Sequence, residues 1–452
     1  MSMLTTAIGA AKKAKHALKD EIDRRTPVYL SPVRRIEQIR TTQRVCAMTF
    51  DDGPMLLPPS PCPDGIPADY PLMAHLLDVH DAYGAKGTFD VVGDTSTNYP
   101  DQAGQVGSAS WGGIAYDHYP DFGRDNQGGA VHCPDLIDRM IRNGHQITNH
   151  TYAHVLFGKK SVVYGRRHHL HALEEVTTDL HRLDELLRQK HGYAMGFMRP
   201  PHYVDRISGG FDSYDACALL GYQYMAASFD GAGWLPCKTY EQEVEAMWKP
   251  IEAALQKDPD ALCGQIIFQK DGYNMARRTP VADGLGKALE ILQRYGYRVV
   301  TVQDLLEYSP FADLGAADPL FLAARGLLDR GYTVAFRNNK VLPQTPLTRG
   351  ALAMLRFGAD GARRRIELMQ GKKAFAVRDM KVSHPYSGAV SLALERDVFS
   401  LDHGRFRPDA PVGRADLESF CRALYGRTPD DLPEKLTHGD AIRTLAAMEN
   451  LL

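Results

Sequence analysis

Between residues 45 and about 305 the chain alternates short β-branched or apolar runs with longer helix-patterned stretches, and this rhythm limits the fold more than any other feature. The strand candidates are "VCAMTFD" (45–51), "KGTFDVVG" (86–93), "HQITNHT" (145–151), "MGFMRPP" (195–201), "YQYMAAS" (222–228), "QIIFQKD" (265–271) and "YRVVTVQ" (297–303). Between them lie patterns such as "YPLMAHLLDVHDAYG", "LEEVTTDLHRLDELLRQKHG" and "GLGKALEILQRYG". Several end in Gly just before the next strand, where helix C-caps fall. Repeated β-α units predict an α/β fold with a parallel sheet, as a barrel or as an open sheet covered by helices. Chemistry in such folds gathers at the C-terminal ends of the strands.

Two stretches break the rhythm. Residues 55–68 are rich in Pro, and residues 94–131 are rich in Gly, Asp and aromatics. Loops that long are usually functional or disordered. Trp111, Tyr116, Tyr119 and Phe122 would suit a wall that stacks on a substrate, or simply an ordered surface loop.

After Ser309-Pro310 the texture changes. Residues 310–358 and 374–426 share an order: an Asp near the start, an apolar helix, a turn rich in Arg or Asn, Pro, and a second helix; 434–452 repeats the last part. This predicts a small all-α repeat domain. The expected division is an N-terminal helical extension over 1–40, a catalytic-type domain over 41–308 and helical repeats over 309–452.

Composition narrows the function. A net charge of −2 gives no global case for a nucleic-acid or anionic-membrane partner. No apolar run approaches the roughly 20 residues of a membrane span. The seven cysteines are scattered and form no CxxC pair, so free buried thiols are expected rather than a zinc ribbon or a disulfide framework. The N-terminal "MSMLTTAIGAAKKAKHALKDEIDRR" lacks the order of a signal peptide and reads as a charged amphipathic helix. A cytoplasmic location follows as an expectation, with the cell surface as the alternative.

The predicted strand ends, taken in order, carry the chemistry. The first supplies Asp51 and Asp52. The third supplies "NHTYAH", with His150 and His154 at i, i+4; on one helical turn both imidazoles would share a face and grip one metal. One carboxylate with two histidines makes a three-ligand site with open positions. The fourth strand supplies Arg199, Pro200, Pro201 and His202, the fifth Asp230 and Trp234, and the sixth Lys270 and Asp271.

"TFDDGP", "HTYAH", "RPP" and the Asp…Trp pair resemble, in this order, the motifs of the polysaccharide deacetylase family (NodB homology, carbohydrate esterase family 4) over about residues 41–305. The resemblance implies a distorted (β/α) barrel and a divalent metal, Zn²⁺ or else Co²⁺, Ni²⁺ or Mn²⁺. It implies Asp52, His150 and His154 as metal ligands, Asp51 as general base, and Arg199 as the group holding Asp51 charged. Asp230 would steer the general acid. Trp234 would wall the acetyl pocket, or be a core aromatic, and Pro201 would bind substrate; Trp111 and Tyr119 of the long loop are further substrate-binding candidates by residue type alone.

One departure matters. The family places a histidine, the general acid, in its final motif, and "GQIIFQKDG" has Lys270 there, or Gln269 if the register slips by one. Either Lys270 acts as acid or fixed cation, or His202 donates the proton, or the acid step is lost. The C-terminal segments resemble S-layer homology repeats, best in "GRFRPDAPVGRADL" (404–417) with "PLTRGAL" (346–352) as counterpart. That resemblance implies Arg349 and Arg414 as ligands for a secondary cell-wall polymer, or as mere helix caps. The expected activity is removal of acetyl from an N-acetylated sugar or cell-wall glycan. The alternatives are hydrolysis of another small or cyclic amide, of the allantoinase or imidase kind, and an impaired glycan-binding protein.

Overall fold

The computed structural model describes residues 29–94, 110–111, 114–115, 128–158, 169–274, 276, 278–430 and 432–452. Its strands are β1 (Arg35–Ile36), β2 (Val45–Asp51), β3 (Thr88–Val91), β4 (Ser110–Trp111), β5 (Ile114–Ala115), β6 (Gln146–Asn149), β7 (Leu156–Phe157), β8 (His169–Leu170), β9 (Phe197–Met198), β10 (Gln223–Met225), β11 (Ile266–Lys270) and β12 (Arg298–Val300). The main sheet runs β1-β10-β9-β6-β3-β2-β11, with β12 beside the first half of β2, and every pair in it is parallel. Ser228 and Phe229, just past β10, bond to β11, which curls the sheet into a nearly closed ring. The remaining short strands pair as β4 with β5 and β7 with β8.

All seven residues of β2 are buried, as expected for a parallel strand covered on both faces. Helices at Leu72–Tyr83, Pro134–Arg142, Leu173–His191, Ser213–Leu220, Tyr240–Lys257 and Pro280–Arg294 wrap the sheet. Gly84 and Gly192 close two of them at φ 59° and 64°, a left-handed conformation that favours glycine.

Several predicted strands shorten. "MGFMRPP" contracts to Phe197–Met198 because Pro200 and Pro201 have no N–H for the ladder, and the chain turns at Pro201–Tyr203. The helical extension expected over 1–40 is not helical across 29–40: Arg35–Ile36 pairs with β10, and Leu30 is buried in the C-terminal domain. Residues 1–28 lie outside the described residues. None of the seven cysteines is bridged, but only Cys46, Cys133, Cys217 and Cys421 are buried; Cys237 and Cys263 are half-buried and Cys62 is exposed.

The C-terminal region packs helices Phe321–Asp329, Arg349–Met369, Ser387–Glu395, Arg414–Tyr425 and His438–Met448 around its own apolar core. Two equivalent clamps recur. The Asp313 carboxylate accepts from the Val341 and Leu342 N–H groups at 2.7 and 2.9 Å. Asp379 does the same for Phe406 and Arg407 at 2.8 and 2.7 Å. The turns preceding three of the helices meet, Leu347 N–H donating to the Leu436 carbonyl and Val412 N–H to that of Leu347. This unit is docked on the barrel: Arg337 pairs with Asp212 at 3.0 Å and lies 4.1 Å over the Tyr214 ring, and Arg365 pairs with Asp215.

Candidate metal centre

Strand register builds the site before any side chain is considered. Asp51, the last residue of β2, stands opposite Asp90 on β3 and Lys270 on β11. Asn149 at the end of β6 is level with Met198 on β9, so His150 and Arg199 emerge side by side. Asp51, Asp52, His150, His154 and Arg199 are all buried at these C-terminal ends.

The i, i+4 histidines do not lie on a helix. β6 stops at Asn149, and residues 150–155 form a turn with Thr151 at φ 70° and His154 at φ 49°. Side chains supply the order that helical bonds would have given. Thr151 N–H donates to Asn149 Oδ1 (2.9 Å), Tyr152 N–H to Asp179 Oδ1 (2.7 Å) and Val155 N–H to Thr151 Oγ1 (3.1 Å). The turn brings the two imidazoles to the same carboxylate: His150 Nε2 is 3.2 Å and His154 Nε2 3.1 Å from Asp52 Oδ1. His150 Nδ1 lies 2.7 Å from the Arg199 carbonyl. A carbonyl only accepts, so Nδ1 carries the proton and Nε2 faces Asp52.

Asp52, His150 and His154 offer one ligand atom each, all within 4.8 Å of one another. A buried oxygen and two imidazole nitrogens, one of them oriented by a backbone carbonyl, fit a divalent transition-metal ion. Burial pushes the Asp52 carboxyl up, but the Lys270 ammonium and the hydrogen bonds from His150 and His154 hold it well below the usual carboxylate range. Burial likewise works against a charged His150, and Asp52 with Asp51 overcomes it and raises its pKa.

Arg199 is wholly buried behind this set. Its Nη1 bonds Asp51 Oδ1 and lies 2.9 Å from Asp90 Oδ2, while Nη2 donates to Thr49 Oγ1 at 3.0 Å. Asp90 accepts from Thr148 Oγ1 at 2.6 Å, and burial pushes its carboxyl up to about 8 despite the guanidinium. Sequence reasoning missed Asp90 and Asp179. The signal for Asp90 was an acid inside the apolar run "TFDVVG", level with the end of the neighbouring strand. Asp179 gave none, because it sits within an ordinary helical pattern.

The remaining expected residues fall at graded distances. His202 is exposed at φ 56° on the turn after "RPP", with its ring 5.9 Å from that of His154. Pro201 is buried beside it. Asp230 is exposed, and its carboxylate accepts from the Ala232 N–H (2.7 Å) and from Trp234 Nε1 (3.3 and 3.2 Å). Lys270 bonds Asp52 Oδ2. Asp271 is buried, and a Cβ on Gly53 would fall on its carboxylate, so only glycine fits there. Trp111 lies on β4, while Tyr116, Tyr119 and Phe122 fall outside the described residues.

Arg349 and Arg414 lie in the helical domain, apart from this site. Arg349 donates to the Phe406 and Ser400 carbonyls and stacks on Phe399 and Phe406. Its fork is thereby engaged within the domain. Arg414 is exposed and pairs with Glu418 at 2.9 Å.

The fold and site define a parallel β/α ring with a three-residue metal-type cluster at its strand ends. Residues 38–206 match a family model described as polysaccharide deacetylase. A curated relative, a probable peptidoglycan-N-acetylglucosamine deacetylase of Arthroderma benhamiae, is 23% identical over 296 residues, covering 62% of this chain and 48% of the relative. The chain thus matches about half the length of that relative. Among solved structures, a peptidoglycan deacetylase of Bacillus subtilis is 18% identical, with a TM-score of 0.37, covering 60% of this chain and 93% of its own. A chitin deacetylase of Colletotrichum lindemuthianum is 20% identical, with a TM-score of 0.39, covering 62% and 92%.

Proposed function

We propose that the chain is a metal-dependent hydrolase that removes acetyl groups from an N-acetylated glycan. The observation that carries this reading is the convergence of Asp52, His150 and His154 beside an Asp51 held by a buried arginine. Asp52, His150 and His154 would hold a divalent ion, which when bound supplies Lewis acidity toward water and the amide carbonyl. Asp51 is assigned the general base. Arg199 takes its Oδ1 and leaves Oδ2 toward His150, 3.9 Å from Nε2, where it can accept a proton. Asp90 and Thr49 fix the guanidinium from behind, so Asp51 keeps one orientation.

The leaving nitrogen needs a proton. His202 is assigned this role, because its exposed ring lies 5.9 Å from that of His154, and Lys270 is assigned to the Asp52 carboxylate that it bonds. Trp234 and Pro201 are assigned to the wall around the acetyl group, with Asp230 fixing the indole. Exposed Arg414 is the better of the two arginines for an anionic polymer, since the Arg349 fork is spent on carbonyls.

Lys270 in place of a histidine also favours a second reading, a catalytically impaired glycan-binding protein. Metal analysis together with acetate release from chito-oligosaccharides and peptidoglycan fragments decides between them. With a divalent ion supplied in the buffer, metal binding with steady acetate release is expected. Metal without release, but with glycan binding, would replace the first reading by the second.

A further inference from the structure

Asp52 uses its two oxygens for different partners. Oδ1 faces His150 Nε2 and His154 Nε2, and Oδ2 carries the Lys270 ammonium. The Asp52 side chain is 4% exposed and that of Lys270 15%, so water screens this pair poorly. Any cation gripped by the three ligands would sit on a carboxylate already neutralised by a tethered one. Lys270 is the last residue of β11, locked in register beside Asp51, so the strand delivers its ammonium to this place.

We propose that Lys270 is a built-in competitor at the metal centre, so that a divalent ion gains full hold of Asp52 only as the ammonium gives way. This rests on the metal-centre reading above and adds to it a control on occupancy. A second positive charge on the same carboxylate repels a divalent ion directly and also withdraws the negative charge that the ion needs. The site then binds its ion loosely and loads with the ambient supply of metal rather than holding it permanently. The groups behind the ligands do not offset this: the buried Arg199 guanidinium is already divided between Asp51 and Asp90.

The test is calorimetric titration of the full-length, metal-stripped protein with Zn²⁺, repeated with Co²⁺ and read by its visible absorption. Wild type is compared with Lys270→Met, Lys270→Arg and Asp52→Asn. Lys270→Met removes the charge and keeps the length, and its metal affinity is expected to rise at least tenfold. Lys270→Arg keeps a charge and is expected to stay within a few-fold of wild type, which separates charge from shape. Asp52→Asn is expected to lose binding. Equal or weaker affinity in Lys270→Met overturns the competitor and leaves the metal centre standing. No binding by wild type or by Lys270→Met overturns the metal centre, and the competitor with it. Circular dichroism of each variant checks that it is folded.

Discussion

Asp51 and Asp90 face each other across one rung of the β2–β3 ladder and share a single guanidinium nitrogen of Arg199. Two buried carboxylates on one cation make an unequal pair. The Asp90 carboxyl is pushed up to about 8 by burial, against the pull of Arg199, so near neutral pH it is largely protonated. Removing the cation and removing the second acid should therefore have very different effects. Arg199→Ala leaves a buried charge uncompensated and is expected to cost about 3–5 kcal/mol. Asp90→Asn keeps the shape and the Thr148 hydrogen bond and is expected to cost about 1 kcal/mol or less. Urea denaturation at pH 7 measures both, and equal losses would refute this division of charge.

A second pair of buried groups lies beneath the sheet. His80 and His145 meet edge to face at 5.3 Å, packed against Phe50 and Phe89. Burial lowers His80 to about 4 and His145 to about 3. For His80, the Leu76 carbonyl and Asp81 oppose and Lys86 assists; for His145, His80, Lys86 and Arg139 assist. The unfolded chain binds protons at these positions near pH 6.5, and the folded chain does not until far lower pH. Stability is thus fully present above about pH 6.5 and falls as pH drops toward 4, by on the order of 3 kcal/mol for His80. Thermal melts between pH 7.5 and 4 should show a shallower fall for His80→Leu than for wild type. Parallel curves would exclude His80 as a source of the acid sensitivity.

Glu243 is a buried acid with a different task. It accepts from the Cys237 N–H (2.8 Å), from Asn274 Nδ2 (2.9 Å) and from Arg278. These partners lie on the loop after Trp234 and on the loop after Lys270, so one carboxylate ties these two loops together. Glu243→Ala strands the Arg278 charge and is expected to cost about 3 kcal/mol or more. Limited trypsin digestion should then cut sooner after the exposed Lys238, and unchanged digestion would deny Glu243 this clamping role.

How far the sequence discloses this site depends on where each residue's neighbours come from. Asp51, Asp52, His150 and Arg199 were legible because each is the last residue of a strand or the one directly after it, and parallel strands bring their ends together whatever lies between. The turn carrying His150 and His154 was misread as a helix, because the spacing of four fits a helical face. The bonds that shape it come from Asn149, Thr151 and the distant Asp179, which no local pattern reveals. Residues 29–40 were misread for a related reason. A two-residue strand has no periodicity, and its partners, Tyr224 and Met225, are almost two hundred positions away.

That same segment ties the two domains together. Leu30 is 1% exposed within the core of the helical domain, and its N–H donates to Tyr386 Oη at 3.1 Å. A few residues on, Arg34 donates to the Pro310 carbonyl (2.7 Å) and to Asn339 (3.1 Å), and Arg35–Ile36 joins the sheet. Leu30→Ala should destabilise the helical domain by about 2–5 kcal/mol. Hydrogen exchange resolved by peptide should report faster exchange in residues 321–369 with β2 and β11 little changed. A uniform change across both domains would mean that they unfold as one unit.

The assignment of the proton donor separates His202 from Lys270. His202 is exposed with its ring 5.9 Å from that of His154, while Lys270 bonds Asp52, and the proposed donor is His202. General acid catalysis contributes roughly 10²–10⁴-fold, so at saturating metal His202→Ala should lower kcat by about two orders of magnitude or more while changing KM little. Lys270→Ala should act first on the metal concentration required for half-maximal rate. The discriminating measurement is acetate release from chito-oligosaccharides across a metal titration, for wild type and both variants. If Lys270→Ala abolishes turnover at every metal concentration while His202→Ala keeps the wild-type kcat, the donor is Lys270 and the assignment is reversed.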